Sequence, residues 1–216
     1  MSRFSLTLTL TTLALLAACG AGGQGGGAAA AAEPASAAET AEAVFAGGCF
    51  WCVEHAFDEV DGVLSTTSGY IGGRVARPTY KQVSAGGTGH AEAVKVVFDP
   101  SRVSYEELLY AFWRNVDPLA EGRQFCDVGD QYRAEIFYLD DEQRRLAEAS
   151  KRELEVSKRF DRPIAVAVTA ATEFYPAEEY HQDYHQKNPI RYRFYRTGCG
   201  RDRRLQDVWG DEAGGH

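Results

Sequence analysis

The chain has no second long apolar run, no internal repeat and no excess of basic charge, and each absence narrows what it can be. Beyond Leu6–Leu16, which is interrupted only by threonines, nothing in the 216 residues reads as a membrane span, and that stretch is itself short for one. Lysine and arginine number 23 against 31 aspartates and glutamates, a formal net charge of −8. An acidic balance argues against nucleic acid as a partner. One Cys-x-x-Cys pair is present, Cys49–Cys52, where closed four-cysteine zinc sites usually show two. A structural zinc site is disfavoured, and no bound metal is expected.

What is present begins with an export signal, in which Arg3 is the sole basic side chain. It ends in Leu16-Ala17-Ala18-Cys19-Gly20, which resembles a bacterial lipobox. The resemblance implies cleavage before Cys19, lipidation of that residue, membrane attachment by the lipid anchor and a place in the bacterial cell envelope facing the periplasm. Gly20, in place of aspartate, points to the outer membrane. Residues 19–43 are mostly glycine and alanine and read as a flexible tether. A coil of ~24 such residues reaches roughly 27 Å. Residues 44–210 are one domain by length, 211–216 a disordered tail, and a monomer is the default.

The domain is organised around Gly47-Gly48-Cys49-Phe50-Trp51-Cys52-Val53-Glu54. Ala43 to Ala46 reads as a buried strand. Val53, Ala56, Phe57 and Val60 follow at helical spacing. Two glycines between strand and helix permit a tight turn that leaves Cys49 at the helix N-terminus, where free N–H groups and the dipole favour a thiolate. The aromatic pair Phe50-Trp51 supplies an apolar wall beside the sulfur.

Further along, strands are expected over 63–70, 90–98, 132–139 and 164–169, and helices over 104–115, 140–160 and 178–185. Ser104 and Glu107 form a capping box, with Val103 and Leu108 placed for a hydrophobic staple; Asp140 and Gln143 can form a second box. The order gives an α+β fold, a two-layer sandwich of helices on a mixed sheet. In the strand His90–Phe98, alternation puts His90, Glu92 and Val94 on one face. A carboxyl among alanines and Val94 is desolvated, which raises its pKa and makes it a proton donor near neutrality.

Gly-Cys-Phe-Trp followed by Val-Glu resembles the A-type peptide methionine sulfoxide reductases. Further matching segments are Pro78-Thr79-Tyr80, Thr88-Gly89-His90-Ala91-Glu92, Asp127-Val128-Gly129-Asp130-Gln131-Tyr132-Arg133, and Tyr180-His181-Gln182-Asp183-Tyr184 with Lys187-Asn188-Pro189. The resemblance implies a ferredoxin-like plait and reduction of the S epimer of methionine sulfoxide, free or in oxidised proteins. Cys49 is then the attacking thiolate, Glu92 the general acid, and the Tyr80 and Tyr132 hydroxyls polarise the departing oxygen. Phe50 and Trp51 cradle the methyl group, and Asp127 and His181 belong to the substrate-binding set. The sulfenic acid left on Cys49 is captured by a second thiol. No bound cofactor is implied; a thioredoxin-like donor restores the thiols.

The second thiol is where the chain departs from the commoner pattern, which has glycine where Cys52 stands. Cys199, between glycines in a loop free to swing and near arginines, is the expected resolving residue. Cys52, at i+3 from Cys49, is its rival, and Cys126 beside Asp127 a third possibility. A strand, Cys-x-x-Cys and a helix also suit a thioredoxin-like thiol–disulfide oxidoreductase, which would need that fold's β-α-β topology.

Overall fold

The computed structural model describes residues 39–215. The expected leader, Cys19 and most of the tether lie outside them, as does His216. Strand β1 (Ala41–Gly47) is paired on both sides, antiparallel to β3 (Ala91–Phe98) and to β6 (Ala134–Tyr138). It is covered on both faces, which is why Ala43 to Ala46 shows no polar alternation. Phe45 points one way, its ring 4.8 Å from Phe57 and 5.3 Å from Phe112. Val44 and Ala46 join Ile71, Ala91, Ala93 and Phe137 in a second cluster.

From β1 the chain enters α1 (Phe50–Asp58), returns along β2 (Val63–Ile71), makes the short α2 (Tyr80–Ser84) and runs back as β3. Helix α3 (Tyr105–Arg114) then leads past a two-strand ribbon, β4 (Arg123–Gln124) and β5 (Asp127–Val128), to β6. Helix α4 (Asp141–Val156), β7 (Ala167–Ala170) and β8 (Tyr175–Pro176) follow. Among the described residues six strands form one sheet in the order β7-β6-β1-β3-β2-β8, with β6 and β7 parallel and the other pairs antiparallel. The inner four strands, with α1 and α3 as crossovers, have the connectivity of the ferredoxin-like plait. Both neighbours of β1 run antiparallel to it, so the parallel crossover of a thioredoxin-like unit is not what carries Cys49.

The Ser104 box closes as read: the Ser104 side chain accepts from the Glu107 amide, and the Ser104 amide donates to Glu107 at 2.7 Å. Val103 and Leu108 are both buried in the main core. Other expectations need correction. The Asp140 box stays half made, because Gln143 accepts from the Leu139 amide and donates to the Glu42 carbonyl, tying α4 to β1. That helix stops at Val156, since Lys158 adopts φ +56° and turns Phe160 edge-on to Trp209. Strand β7 begins only at Ala167, because the Ala165 amide is taken by the Pro118 carbonyl. Tyr132 lies in a 3-10 turn, Asp130–Tyr132, and not in a strand. The helix expected over 178–185 is broken: Gln182 is extended and docks its amide on both backbone groups of Ser68, at 2.8 and 3.0 Å. Only Tyr184–Lys187 resumes as α5.

The C-terminal segment departs most. It is two helices, α6 (Pro189–Gly198) and α7 (Arg201–Trp209), joined at Cys199 and Gly200, not a swinging loop. Nor are residues 211–215 a free tail: Glu212 bridges Arg114 and Arg159, and the Gly214 amide donates to the Arg114 carbonyl.

Ser104→Ala removes one cap from an exposed helix end. It should lower unfolding free energy by about 1 kcal/mol and leave activity unchanged, as read by urea denaturation and turnover.

Candidate active site

Gly48 makes the turn between β1 and α1 at φ +87°, and a Cβ there would meet Gln124 Cβ at 2.6 Å. Glycine is required on both counts. The turn delivers Cys49 as the N-cap of α1, with its carbonyl accepting from the Cys52 amide at 3.0 Å. Both sulfurs are buried and free. The first helical amide, Phe50 N–H, does not serve the sulfur. It donates to Glu92 Oε2 at 3.1 Å. Glu92 sits on β3, on the face read from alternation, and is 2% exposed.

Burial pushes the Glu92 carboxyl up to about 8, against the pull of the Phe50 amide and with help from Asp127 and Cys52. Cys49 is also pushed up, by burial and then by its hydrogen bond and charge coupling to Cys52, contrary to the low value expected at a helix start. Cys52 is pushed down by the hydrogen bond from Cys49 and by the Arg201 and Arg196 charges, against burial. The pair therefore loses one proton readily and holds the second tightly, a single thiolate shared by two sulfurs.

The expected aromatic residues converge here. Phe50 is a buried floor, its ring 6.4 Å from Tyr80 and 5.0 Å from His181. Trp51 is a partly exposed wall, stacked on Tyr184 at 3.8 Å, and its Nε1–H donates to His181 Nδ1 at 3.1 Å. His181 Nε2 is buried with no hydrogen-bond partner among the described residues. Burial lowers this imidazole, which stays neutral at pH 7. Tyr80, held by its amide on Glu178, and Tyr132 both feel the Glu92 and Cys49 charges. Burial pushes both phenols up, Tyr80 to about 12.

Asp127 lies across the cleft on β5 and accepts a hydrogen bond from Tyr195 Oη. That hydroxyl also interacts with Cys49. Cys199 Sγ lies 3.9 Å from the same Asp127 oxygen. Cys199 is not free to meet Cys49, however, because it is joined to Cys126 in a disulfide. Cys126, Asp127 and Cys199 are also the one group among the described residues that gathers three potential metal ligand atoms, and the disulfide occupies two of them.

Comparison with known proteins adds to this geometry. Residues 41–213 match the model of the family described as peptide methionine sulfoxide reductase. The chain belongs to that family. It is 53% identical over 168 residues to peptide methionine sulfoxide reductase MsrA of Bacillus licheniformis, covering 78% of this chain and 93% of that one. With MsrA 2 of Rhizobium meliloti it shares 51% over 175 residues, 81% and 86% of the two chains. Among solved structures, methionine sulfoxide reductase A of Corynebacterium diphtheriae aligns at TM-score 0.62 and 33% identity, covering 70% of this chain and 76% of that one. Reduced Mxr1 of Saccharomyces cerevisiae aligns at 0.65 and 32%, covering 71% and 88%.

Several residues of the site were missed in the sequence. Tyr195 belongs to no motif segment, although Tyr192, Tyr195 and Cys199 are spaced as one helical face. Arg201 is 2% exposed, donates to the Gly47 and Asn115 carbonyls and covers the Phe125 ring. Nothing in its local sequence marks it as buried. Glu54 stands four residues after Phe50 on the buried side of α1, accepts from the Ser68 hydroxyl, and is raised by burial to about 7.

The raised Glu92 has two measurable consequences. Its folded pKa of about 8 lies above the ordinary glutamate value of 4.5, so its contribution to stability is full below pH 4.5 and is lost as pH rises to about 8. In infrared difference spectra against Glu92→Gln, a protonated carboxyl band should persist at neutral pH and vanish above about pH 8. A carboxylate band already present at pH 6 would contradict this.

Proposed function

We infer that the protein reduces methionine sulfoxide to methionine, as free amino acid or in oxidised proteins, with the S epimer as substrate, and that Cys49 receives the oxygen. The observation that carries this is the first amide of α1 binding Glu92, which sets a protonated acid beside a buried shared thiolate. With the charge on Cys49, the sulfur attacks the sulfoxide sulfur and Glu92 gives its proton to the oxygen. Tyr80 and Tyr132 donate hydrogen bonds to that oxygen as its charge grows. Phe50 and Trp51 enclose the methyl group, and His181 Nε2, with Asp127 opposite, is the polar contact for the rest of the substrate. The products are methionine, Cys49 sulfenic acid and ionised Glu92.

The buried neighbour captures the sulfenic acid. Cys52 thiol plus Cys49 sulfenic acid gives the Cys49–Cys52 disulfide and water, because Cys52 already hydrogen-bonds Cys49. This reverses the expected order of the two resolving candidates. Cys199 acts one step later. Its disulfide with the exposed Cys126 is reachable by a macromolecular donor, whereas the inner pair is 6% and 1% exposed. A thioredoxin-like dithiol reduces Cys126–Cys199, and that dithiol reduces Cys49–Cys52 by exchange. No bound cofactor takes part.

Cys49→Ser should abolish methionine release even in a single turnover. Glu92→Gln should slow it by roughly 10²–10⁴-fold with binding little changed. Cys52→Ser should stall as sulfenic acid after one methionine. Cys199→Ser should stop as the Cys49–Cys52 disulfide, turning over with dithiothreitol and poorly with a thioredoxin-like donor. Peptide mapping that finds a Cys49–Cys199 bridge in the wild type after one turnover would restore Cys199 as direct resolver.

The N-terminal motif supports a further part of the proposal: a lipoprotein of the bacterial envelope, acylated on Cys19 and held through the 19–43 tether, with a monomer as the default state. Labelled palmitate should enter the wild type and not Cys19→Ala.

A further inference from the structure

Helix α6 turns Tyr192 and Tyr195 inward and two large apolar side chains outward. Ile190 is 85% and Phe194 82% exposed. They are one turn apart and share a side. At about 100° per residue, Arg191 and Arg193 stand about 80° to either side of that pair. Both arginines are exposed and make no ion pair or hydrogen bond with the described residues.

The helix contains no carboxylate, and residues 187–204 hold seven of the 23 cations but one of the 31 acids. In a chain of net charge −8 this is a local inversion of sign. Much of the rest of it is internally paired: Lys187 with Glu179 and Asp183, Arg196 with Asp202, Arg204 with Asp117. What remains for a partner is an apolar ridge with an unpaired guanidinium along each flank.

We propose that this outer face of α6 rests on an anionic phospholipid bilayer, with Ile190 and Phe194 at the acyl boundary and Arg191 and Arg193 on the lipid phosphates. Helices that lie in a membrane interface have this section: an apolar line below, cations reaching sideways to the headgroups. The charge of the face matches that surface and opposes the sign of the chain as a whole. No helix among the described residues is long and apolar enough to cross a membrane, so the contact is superficial. A single short helix face binds weakly. Attachment through Cys19 would raise its effective concentration, so the strength of the contact, though not its geometry, rests on the lipoprotein reading. Seating α6 this way would fix the orientation of the cleft, since Tyr195 on its inner side touches Cys49 and Asp127.

The test asks which face touches lipid. Full-length Phe194→Trp and Val156→Trp, the second on α4 and 75% exposed in the wild type, are mixed with vesicles of phosphatidylglycerol or phosphatidylcholine bearing brominated acyl chains. Bromine quenches a tryptophan only on contact, whatever holds the chain to the vesicle. Tryptophan at 194 should be quenched roughly twofold on phosphatidylglycerol, above the background of Trp51, Trp113 and Trp209. It should be spared on phosphatidylcholine, and spared again when Arg191 and Arg193 are both changed to Glu. Tryptophan at 156 should stay unquenched throughout. No quenching at 194, equal quenching at 156, or equal quenching on the two lipids overturns the proposal; vesicle binding without quenching at 194 reassigns the face to a protein partner. Methionine sulfoxide reduction in detergent by the unsubstituted protein is read separately. Absence of that activity in the unsubstituted protein would count against the reductase reading and not against the membrane contact.

Discussion

The hydrogen bond from Phe50 N–H to Glu92 Oε2 is the contact on which the site depends. A helix start offers unsatisfied amides, and the obvious recipient is the N-cap thiol. Here a carboxyl from β3, the strand paired directly with β1, takes the first amide, and two buried acidic groups are forced to share one region of low dielectric. Neither can ionise freely beside the other. The outcome is a division of labour: the carboxyl keeps its proton to about pH 8, while one negative charge is spread over two sulfurs. A protonated carboxyl and a thiolate-bearing cysteine pair are thus prepared together, by the same burial.

Holding that arrangement takes more than the sheet. The Gly47-Gly48 turn is clasped from the C-terminal helices by Arg201, whose guanidinium reaches the Gly47 carbonyl from beneath the Phe125 ring. Gln124 closes against Gly48 and exchanges two hydrogen bonds with the Asp117 backbone. Glu178 fixes Tyr80 and Tyr70 from the other side, at 2.8 and 2.9 Å. Arg201 is 154 residues from Gly47, so the turn is shaped by segments remote from it in sequence.

That explains what could and could not be read from the sequence. Local signals were reliable: the two-sided burial of 43–46, the Ser104–Glu107 box, and the alternation that put Glu92 and Val94 on the helix side of β3. Motif segments located Cys49, Glu92, Tyr80, Tyr132 and His181, and the fold gathers all five. Failures came where a tertiary partner outbid a local preference. Gln143 left its box for the Glu42 carbonyl, and Gln182 broke a helix to bind Ser68. The C-terminal segment was misread because Gly198 and Gly200 suggested freedom. Gly200 instead supplies one left-handed residue, φ +68°, between two helices that Arg201 and the Cys126–Cys199 disulfide pin down.

The pinned tail changes the logic of electron flow. A swinging cysteine could visit the sulfenic acid directly, and one disulfide would suffice. While bonded to Cys126 it cannot, and only after that disulfide is reduced would Cys199 be released to attack Cys49–Cys52 in the proposed relay; the two cysteine pairs differ in exposure, with Tyr195 and Asp127 between them. Asp127 lies 3.9 Å from Cys199 Sγ, and Tyr195 links that same carboxylate to Cys49. The inner pair is dry enough to keep Glu92 protonated, which wetting by an approaching reductant would undo. The outer pair carries the solvent exposure that a partner needs. Exposure and desolvation, which conflict at a single centre, are assigned to different sulfurs. The phenol and carboxylate stand between them, with the Tyr195 hydroxyl on Cys49 and Asp127 and the Asp127 carboxylate beside Cys199.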